Sequence, residues 1–294
     1  MKDVHIKTSF PSRERMIRRL FAAAVGVVVI FGVPLCSVAS ASELTDLFRE
    51  AAPGSAQTVD HSAWDRLLKA SVKPGADGLN RVDYAAFKRA GHEDLKLYIR
   101  RLESVDPQTL DRREQFAFLV NLYDAKTIDV VLDNYPIKSI KDISLGGGLV
   151  ALVTGGPWKA KILKVKWVDL SLDDIEHGIL RPLFKDPRVH YAVNCASIGC
   201  PNLQTEAFTG VKLDAQLDAA ARDYINHSRG VTVGPNGVVV SSIYSWFETD
   251  FGGNDEGVLK HLRAYSAPDL MKKLEAVNSI SGDVYDWGLN DVQR

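Results

Sequence analysis

The apolar positions of this chain change period along its length, and each change predicts a different kind of element. From about His61 to Val72 and from Tyr84 to Glu103 they recur at helical spacing, with Lys73-Pro-Gly-Ala-Asp-Gly78 as the turn between. Asp111-x-x-Glu114 reads as a capping box opening a long helix that runs to about Asn134, before Pro136. On it Phe116, Leu119, Val120, Tyr123, Val130 and Val131 form one apolar face, and Phe118, Leu122, Ala125 and Leu132 form another. A helix apolar nearly all round is a buried one. Asn121 and Asp124, three residues apart, therefore point together into the interior or a cleft. There an unpaired polar group costs about 1–3 kcal/mol, so Asn121 is expected to brace neighbouring backbone.

The middle of the chain changes character. Gly146-Gly-Gly148 and Gly155-Gly-Pro157 suggest loops, and no Gly-Lys-Ser/Thr follows to make a phosphate loop. From Lys159 to Val168 apolar residues and lysines alternate as in a half-buried strand. Lys159, Lys161, Lys164 and Lys166 either guard a sheet edge or form an anion patch. Ser171-x-x-Asp174 caps a helix that carries Glu176 and His177 and ends near Pro182. Val189-His-Tyr-Ala-Val193 reads as a strand. A helix from about Leu213 to Asn226 follows, then a hairpin turning at Asn236-Gly237. Helices first, then strands mixed with short helices, predict an α+β fold. The expected form is a buried central helix with flanking helices packed on a small, mostly antiparallel sheet.

The first forty-odd residues bear on compartment. Arg13, Arg15, Arg18 and Arg19 precede an apolar run from Leu20 to Leu35, and Ala39-Ser-Ala41 supplies a small-x-small site. That is the layout of a secretory signal peptide, and the run is shorter than the ~20 residues of a membrane span. Residues 1–41 are thus expected to be removed, leaving 42–294 as a single α+β domain, periplasmic or secreted, without a membrane span. The formal net charge of −1 and interleaved acids and bases do not resemble a nucleic-acid binder. Of the three cysteines Cys36 falls in the leader, which leaves Cys195 and Cys200, too few for a disulfide scaffold.

Those two cysteines stand with His190 and Pro201 in one segment, Arg188 to Leu203. Three chemistries compete for them. Cys195 and Cys200 can form a disulfide that closes a tight loop. Cys195 can instead be a catalytic nucleophile, with His190 or His177 as base, Glu176 orienting an imidazole, and Asn121 and Cys200 in support. In an extended strand His190 and Cys195 face opposite ways, so their meeting requires a turn at Asn194. In the third reading His190, Cys195 and Cys200, with His177 or Glu176, hold zinc, although the spacing lacks a paired second knuckle. No other cofactor is expected. Two function classes follow: a Cys/His-dependent hydrolase or transferase acting on an amide or thioester, or a non-enzymatic periplasmic module binding a small molecule or envelope peptide.

Several of these motifs occur together elsewhere. Phe116-Ala-Phe-Leu-Val-Asn121-Leu-Tyr123, Asp174-Ile-Glu-His177, His190 through Cys200-Pro201, and Ser241-Ser-Ile-Tyr-Ser-Trp246 with Asp250-Phe251 resemble the domain-of-unknown-function 547 family. The resemblance is densest between about Leu110 and Arg229. Asp124 departs from it, standing where an Asn-x-Tyr-Asn pattern is expected. The resemblance brings no established reaction. It implies that the cysteine segment also occurs in cytosolic relatives, so an oxidising compartment does not by itself explain the two thiols.

Overall fold

A computed structural model describes residues 2–5, 41–145 and 156–293. Most of the expected leader and of the glycine-rich stretch lies outside the described residues. In chain order the first elements are β1 (Lys2–His5), α1 (Ala41–Arg49), α2 (Ser62–Ser71), the hairpin β2 (Val72–Pro74) and β3 (Asn80–Val82), α3 (Tyr84–Ala90) and α4 (His92–Glu103). The expected second helix is thus two, broken at Gly91, where a Cβ would come within 2.7 Å of the Leu67 side chain. Then comes the long helix α5 (Arg112–Asn134).

Helix α5 is the axis of the molecule. Its N-cap Asp111 accepts from the Glu114 N–H, and burial runs continuously from Glu114 to Ala125. Glu114 is buried, and among the described residues it has no cationic partner. Its two carboxylate oxygens accept instead from the N–H groups of Val59 and Gly210, which ties the first helices and a later loop to α5. Asn121 does the same about two turns on, donating to Phe208 O at 2.8 Å and accepting from Phe208 N at 3.0 Å. The first large apolar cluster, from Leu44 to Leu217 with Leu289, surrounds this helix.

The segment expected as one strand over 159–168 forms a two-strand hairpin, β4 (Leu163–Val165) and β5 (Val168–Leu170). Its lysines do not pool into an anion patch: Lys161, Lys164 and Lys166 pair with Asp174, Asp169 and Asp106. A π-helical turn, Asp174–Leu180, then leads into α6 (Arg181–Phe184). Ser171 and Asp174 cap each other as expected. The helix nevertheless passes Pro182, because a wider turn relieves the clash a proline ring makes in an α-helix.

The remaining elements are α7 (Val189–Ala192), α8 (Leu213–Ile225), the hairpin β6 (Val231–Gly234) and β7 (Gly237–Ser241), α9 (Ser242–Trp246), α10 (Asp255–Tyr265), α11 (Pro268–Leu274) and β8 (Gly282–Asp286). The sheet order is β1-β8-β7-β6, antiparallel except for the parallel β7–β8 pair. A second apolar cluster packs α8, α9 and α10 on this sheet. The architecture is α+β, as the period changes predict. The expected strand Val189–Val193 is a correction: it is one helical turn followed by extended Val193. Two side-chain anchors override the β-propensity of its valines. Asp186 accepts from the Arg188 N–H, and the Arg188 guanidinium bonds Asp186, Asp214 and Asp218.

Candidate functional site

Between the two apolar clusters lies a cleft of about 220 Å³ lined by Tyr123, Glu176, His177, His190, Cys195 and Cys200, among others. Aromatic rings of Trp158, Trp246, Phe247 and Trp287 wall it, and Lys159 stands at its exposed rim. Glu176, His190 and Cys195, the three residues singled out as catalytic candidates, thus share one cavity, together with His177 and Cys200. Asn121 does not line it. It serves the fold by holding Phe208.

The cysteine side of the cleft is a preformed loop. Asp124 on α5 accepts from the Asn194 N–H at 2.8 Å. Asn194 in turn accepts from Ala196 N and donates to Pro201 O, which staples both ends of the loop. Ala196 is held at φ 58°, the left-handed turn that reverses the chain after Cys195. Gly199 N–H donates to Asp286 O on β8, so close that a Cβ there would meet the Asp286 nitrogen at 2.8 Å. Tyr224 from α8 donates to Gly199 O. Helix, sheet and loop therefore fix the thiols jointly.

Asp124 also explains its departure from the asparagine pattern. Burial pushes its carboxyl pKa well above the usual range. A protonated carboxyl is neutral and presents one acceptor and one donor, as an asparagine amide does.

Cys195 is half-buried and Cys200 is buried, and both are free thiols. Their sulfurs are 3.0 Å apart, well beyond the ~2.05 Å of a disulfide bond. Around Cys195 Sγ stand Cys200 Sγ, Ser197 Oγ at 3.2 Å and Tyr285 OH at 3.0 Å. Hydrogen bonds from Cys200, then from Ser197 and Tyr285, lower the Cys195 pKa against the opposing cost of burial. Burial first, and the neighbouring Cys195 second, push Cys200 up. The expected imidazole–thiol hydrogen bond is not formed, which corrects the simplest triad. Hydroxyl and thiol donors hold the Cys195 sulfur instead.

The imidazole side is built from charges. His190 Nε2 lies 2.7 Å from Asp250 Oδ2, and its ring stacks on Phe247 with centroids 4.2 Å apart. Asp250 also takes two hydrogen bonds from Arg181. The His190 bond, then Arg181, hold the Asp250 carboxyl far below the usual carboxylate range. An acceptor at Nε2 assigns the proton to that nitrogen and leaves Nδ1 facing Glu176 Oε1 at 3.9 Å. Glu176 is also 3.9 Å from His177 Nδ1, and Tyr123 lines the same cleft. The role expected of Glu176, fixing an imidazole tautomer, thus falls to Asp250.

The zinc reading has no matching geometry. Among the described residues the His/Cys/Asp/Glu group close enough to share an ion is His92, Asp129 and Asp133, remote from the cysteines and already bonded by Lys96 and Lys126.

Residues 107–225 match the family described as "Protein of unknown function, DUF547". The matched stretch carries Asn121, Glu176, His177, His190, Cys195 and Cys200, and so supports the resemblance read from the motifs. It stops before Asp250 and Tyr285, which complete the two sides of the cleft. Neither the curated proteins nor the solved structures give a match. Sequence reasoning missed Tyr285, Ser197 and Arg181 as site residues. Asp250 stood in a quoted motif, but nothing in its spacing pointed to His190.

Proposed function

We propose that this chain is an exported, thiol-dependent hydrolase or transferase acting on an amide or thioester, with Cys195 as nucleophile. The observation that carries the reading is the shared cleft: a half-buried thiol with a lowered pKa faces the same cavity as the His190–Asp250 pair and Glu176. The Cys195 thiolate attacks the acyl carbon, and the amine or thiol leaves with a proton from the His190–Glu176 side. Water, or an acceptor nucleophile, gives its proton back to that side and releases the acyl group. The aromatic walls suit an apolar acyl group, since most small-molecule sites pair apolar walls with a few placed polar groups. Lys159 at the rim suits a substrate carboxylate.

Export rests on the arginine-rich start, the short apolar run and Ala39-Ser-Ala41. Cleavage after Ala41 removes β1 and leaves the outer edge of β8 unpaired, and intact mass of the exported protein checks it. A mass retaining Met1 to Ala41 contradicts it. The chemistry is tested by incubating the reduced protein with an activated ester or thioester and mapping the adduct. An acyl group on Cys195 that turns over is expected. An unmodified Cys195 at full substrate excess contradicts the reading and favours a binding module.

A further inference from the structure

Acyl transfer needs one thiol, yet this cleft holds two. Cys200 also lines the cleft, 3.0 Å from Cys195, but at 3 % exposed it is the less open of the two. It is not inert packing either: the Cys195 N–H donates to its sulfur at 2.9 Å, and the two sulfurs share a hydrogen bond at 3.0 Å. A single-thiol mechanism is, if anything, endangered by such a neighbour.

We infer that Cys195 and Cys200 form a reversible thiol–disulfide couple that exchanges with an accessible disulfide bond entering the aromatic-walled cleft. This goes beyond acyl transfer and requires only that Cys195 be reachable from the cleft.

Three features support it. The pair is asymmetric in the way exchange demands: both thiols line the cleft, but half-buried Cys195 suits the attacking role and buried Cys200 the resolving one. The loop is already bent to bring the sulfurs together, through Ala196 at φ 58° and the Asn194 staple, so closure needs only ~1 Å of approach. Arg229 lies beneath the loop, bonding Ile198 O and Asn202 Oδ1 and stacking over Tyr224. Among the described residues its buried Nε has no hydrogen-bond partner, and its guanidinium bonds a carbonyl and an amide oxygen rather than a carboxylate. A half-buried cation without a bonded carboxylate favours negative charge on the nearby Cys200.

The steps balance. The Cys195 thiolate attacks one sulfur of the incoming disulfide; that S–S bond breaks, a mixed disulfide forms, and one partner thiolate leaves. This thiolate takes the Cys200 proton. The Cys200 thiolate then attacks Cys195 Sγ and releases the second partner thiolate, which takes the proton lost earlier from Cys195. Two electrons and two protons pass to the partner, which becomes a dithiol. The protein keeps a Cys195–Cys200 disulfide, and the reverse reaction restores the thiols.

The test equilibrates the full chain carrying Cys36→Ser, so that Cys195 and Cys200 are its two thiols, in reduced and oxidised glutathione at graded ratios, quenches with acid, alkylates and weighs the intact protein. A second arm replaces oxidised glutathione with a peptide carrying one internal disulfide, which separates a small-molecule from a polypeptide partner. Both alkylation sites should vanish together as a mass loss of two hydrogens, and return on reduction. Cys200→Ser should instead trap the mixed disulfide, with the adduct on Cys195. A two-thiol chain that keeps both thiols alkylatable at every ratio, or halts at a stable glutathione adduct, overturns the inference, whatever the Cys200→Ser variant does. The acyl-transfer reading is judged separately, by ester adducts on reduced Cys200→Ser. Loss of either result leaves the other standing.

Discussion

The two sides of the cleft hold their reactive groups by different physics. On the imidazole side His190, Asp250 and Arg181 form a chain of charge-assisted contacts, with the ring pinned on Phe247. On the sulfur side Cys195 is held by a thiol and two hydroxyls, all neutral, drawn from its own loop and from β8. A thiolate stabilised by neutral donors does not need a protonated imidazole beside it. His190 is thereby free to serve the acyl-transfer step rather than the thiol, and the two sides should fail independently.

The largest effect should come from breaking the sulfur side. Cys195→Ser should abolish acyl-adduct formation while leaving the fold and the His190–Asp250 pair in place, as read by mass spectrometry and circular dichroism. Breaking the imidazole side with Asp250→Asn should lower turnover by roughly 10²–10⁴, the usual contribution of general acid–base catalysis, without changing Cys195 alkylation. It should also change the acid limb of stability. The native Asp250 pKa is depressed, so its stabilisation is present above the unfolded pKa and is lost as pH falls through the native value. Denaturant midpoints measured downward from about pH 4, the ordinary carboxylate range, should fall more steeply in the wild type than in the variant.

Asn121 lies outside both sides and sharpens the contrast. Asn121→Leu should orphan the Phe208 N–H and C=O, costing about 1–3 kcal/mol for each in the denaturant midpoint, with the Cys195 pH profile intact. Asp124→Asn should have the smallest effect at low pH. The native Asp124 pKa is raised, so the wild type loses stability as pH climbs from the unfolded pKa toward the native one. The variant should therefore equal the wild type in acid and gain on it toward neutral pH, with Asn194 still held.

Legibility in the sequence followed the range of the interaction. Helix α5 could be read nearly to the residue, because its cap and its all-round burial are written within it. Glu176, His190 and Cys195 were found because each sits in a dense local motif. Two things escaped. The turn at Val189–Ala192 depends on Arg188 reaching α8, which no local pattern records. Asp250 and Tyr285 arrive from 60 residues beyond His190 and 90 beyond Cys195, through the C-terminal sheet and its helices. Their partners are chosen by packing, so the imidazole was assigned to the wrong carboxylate and the thiol to the wrong donor.

The central claim is that Cys195 is activated by hydroxyl and thiol donors rather than by an imidazole. Iodoacetamide labelling of Cys195 against pH, in the reduced folded chain and in its Tyr285→Phe and Asp250→Asn variants, tests it most directly. The wild-type midpoint should lie below the ~8.5 of a free cysteine. Tyr285→Phe should slow labelling near neutral pH roughly tenfold or more, since a hydrogen bond to a charged group contributes about 1.5–3 kcal/mol, and Asp250→Asn should not. Labelling that rises only near pH 8.5 in the wild type, or that responds to Asp250→Asn and ignores Tyr285→Phe, contradicts the account.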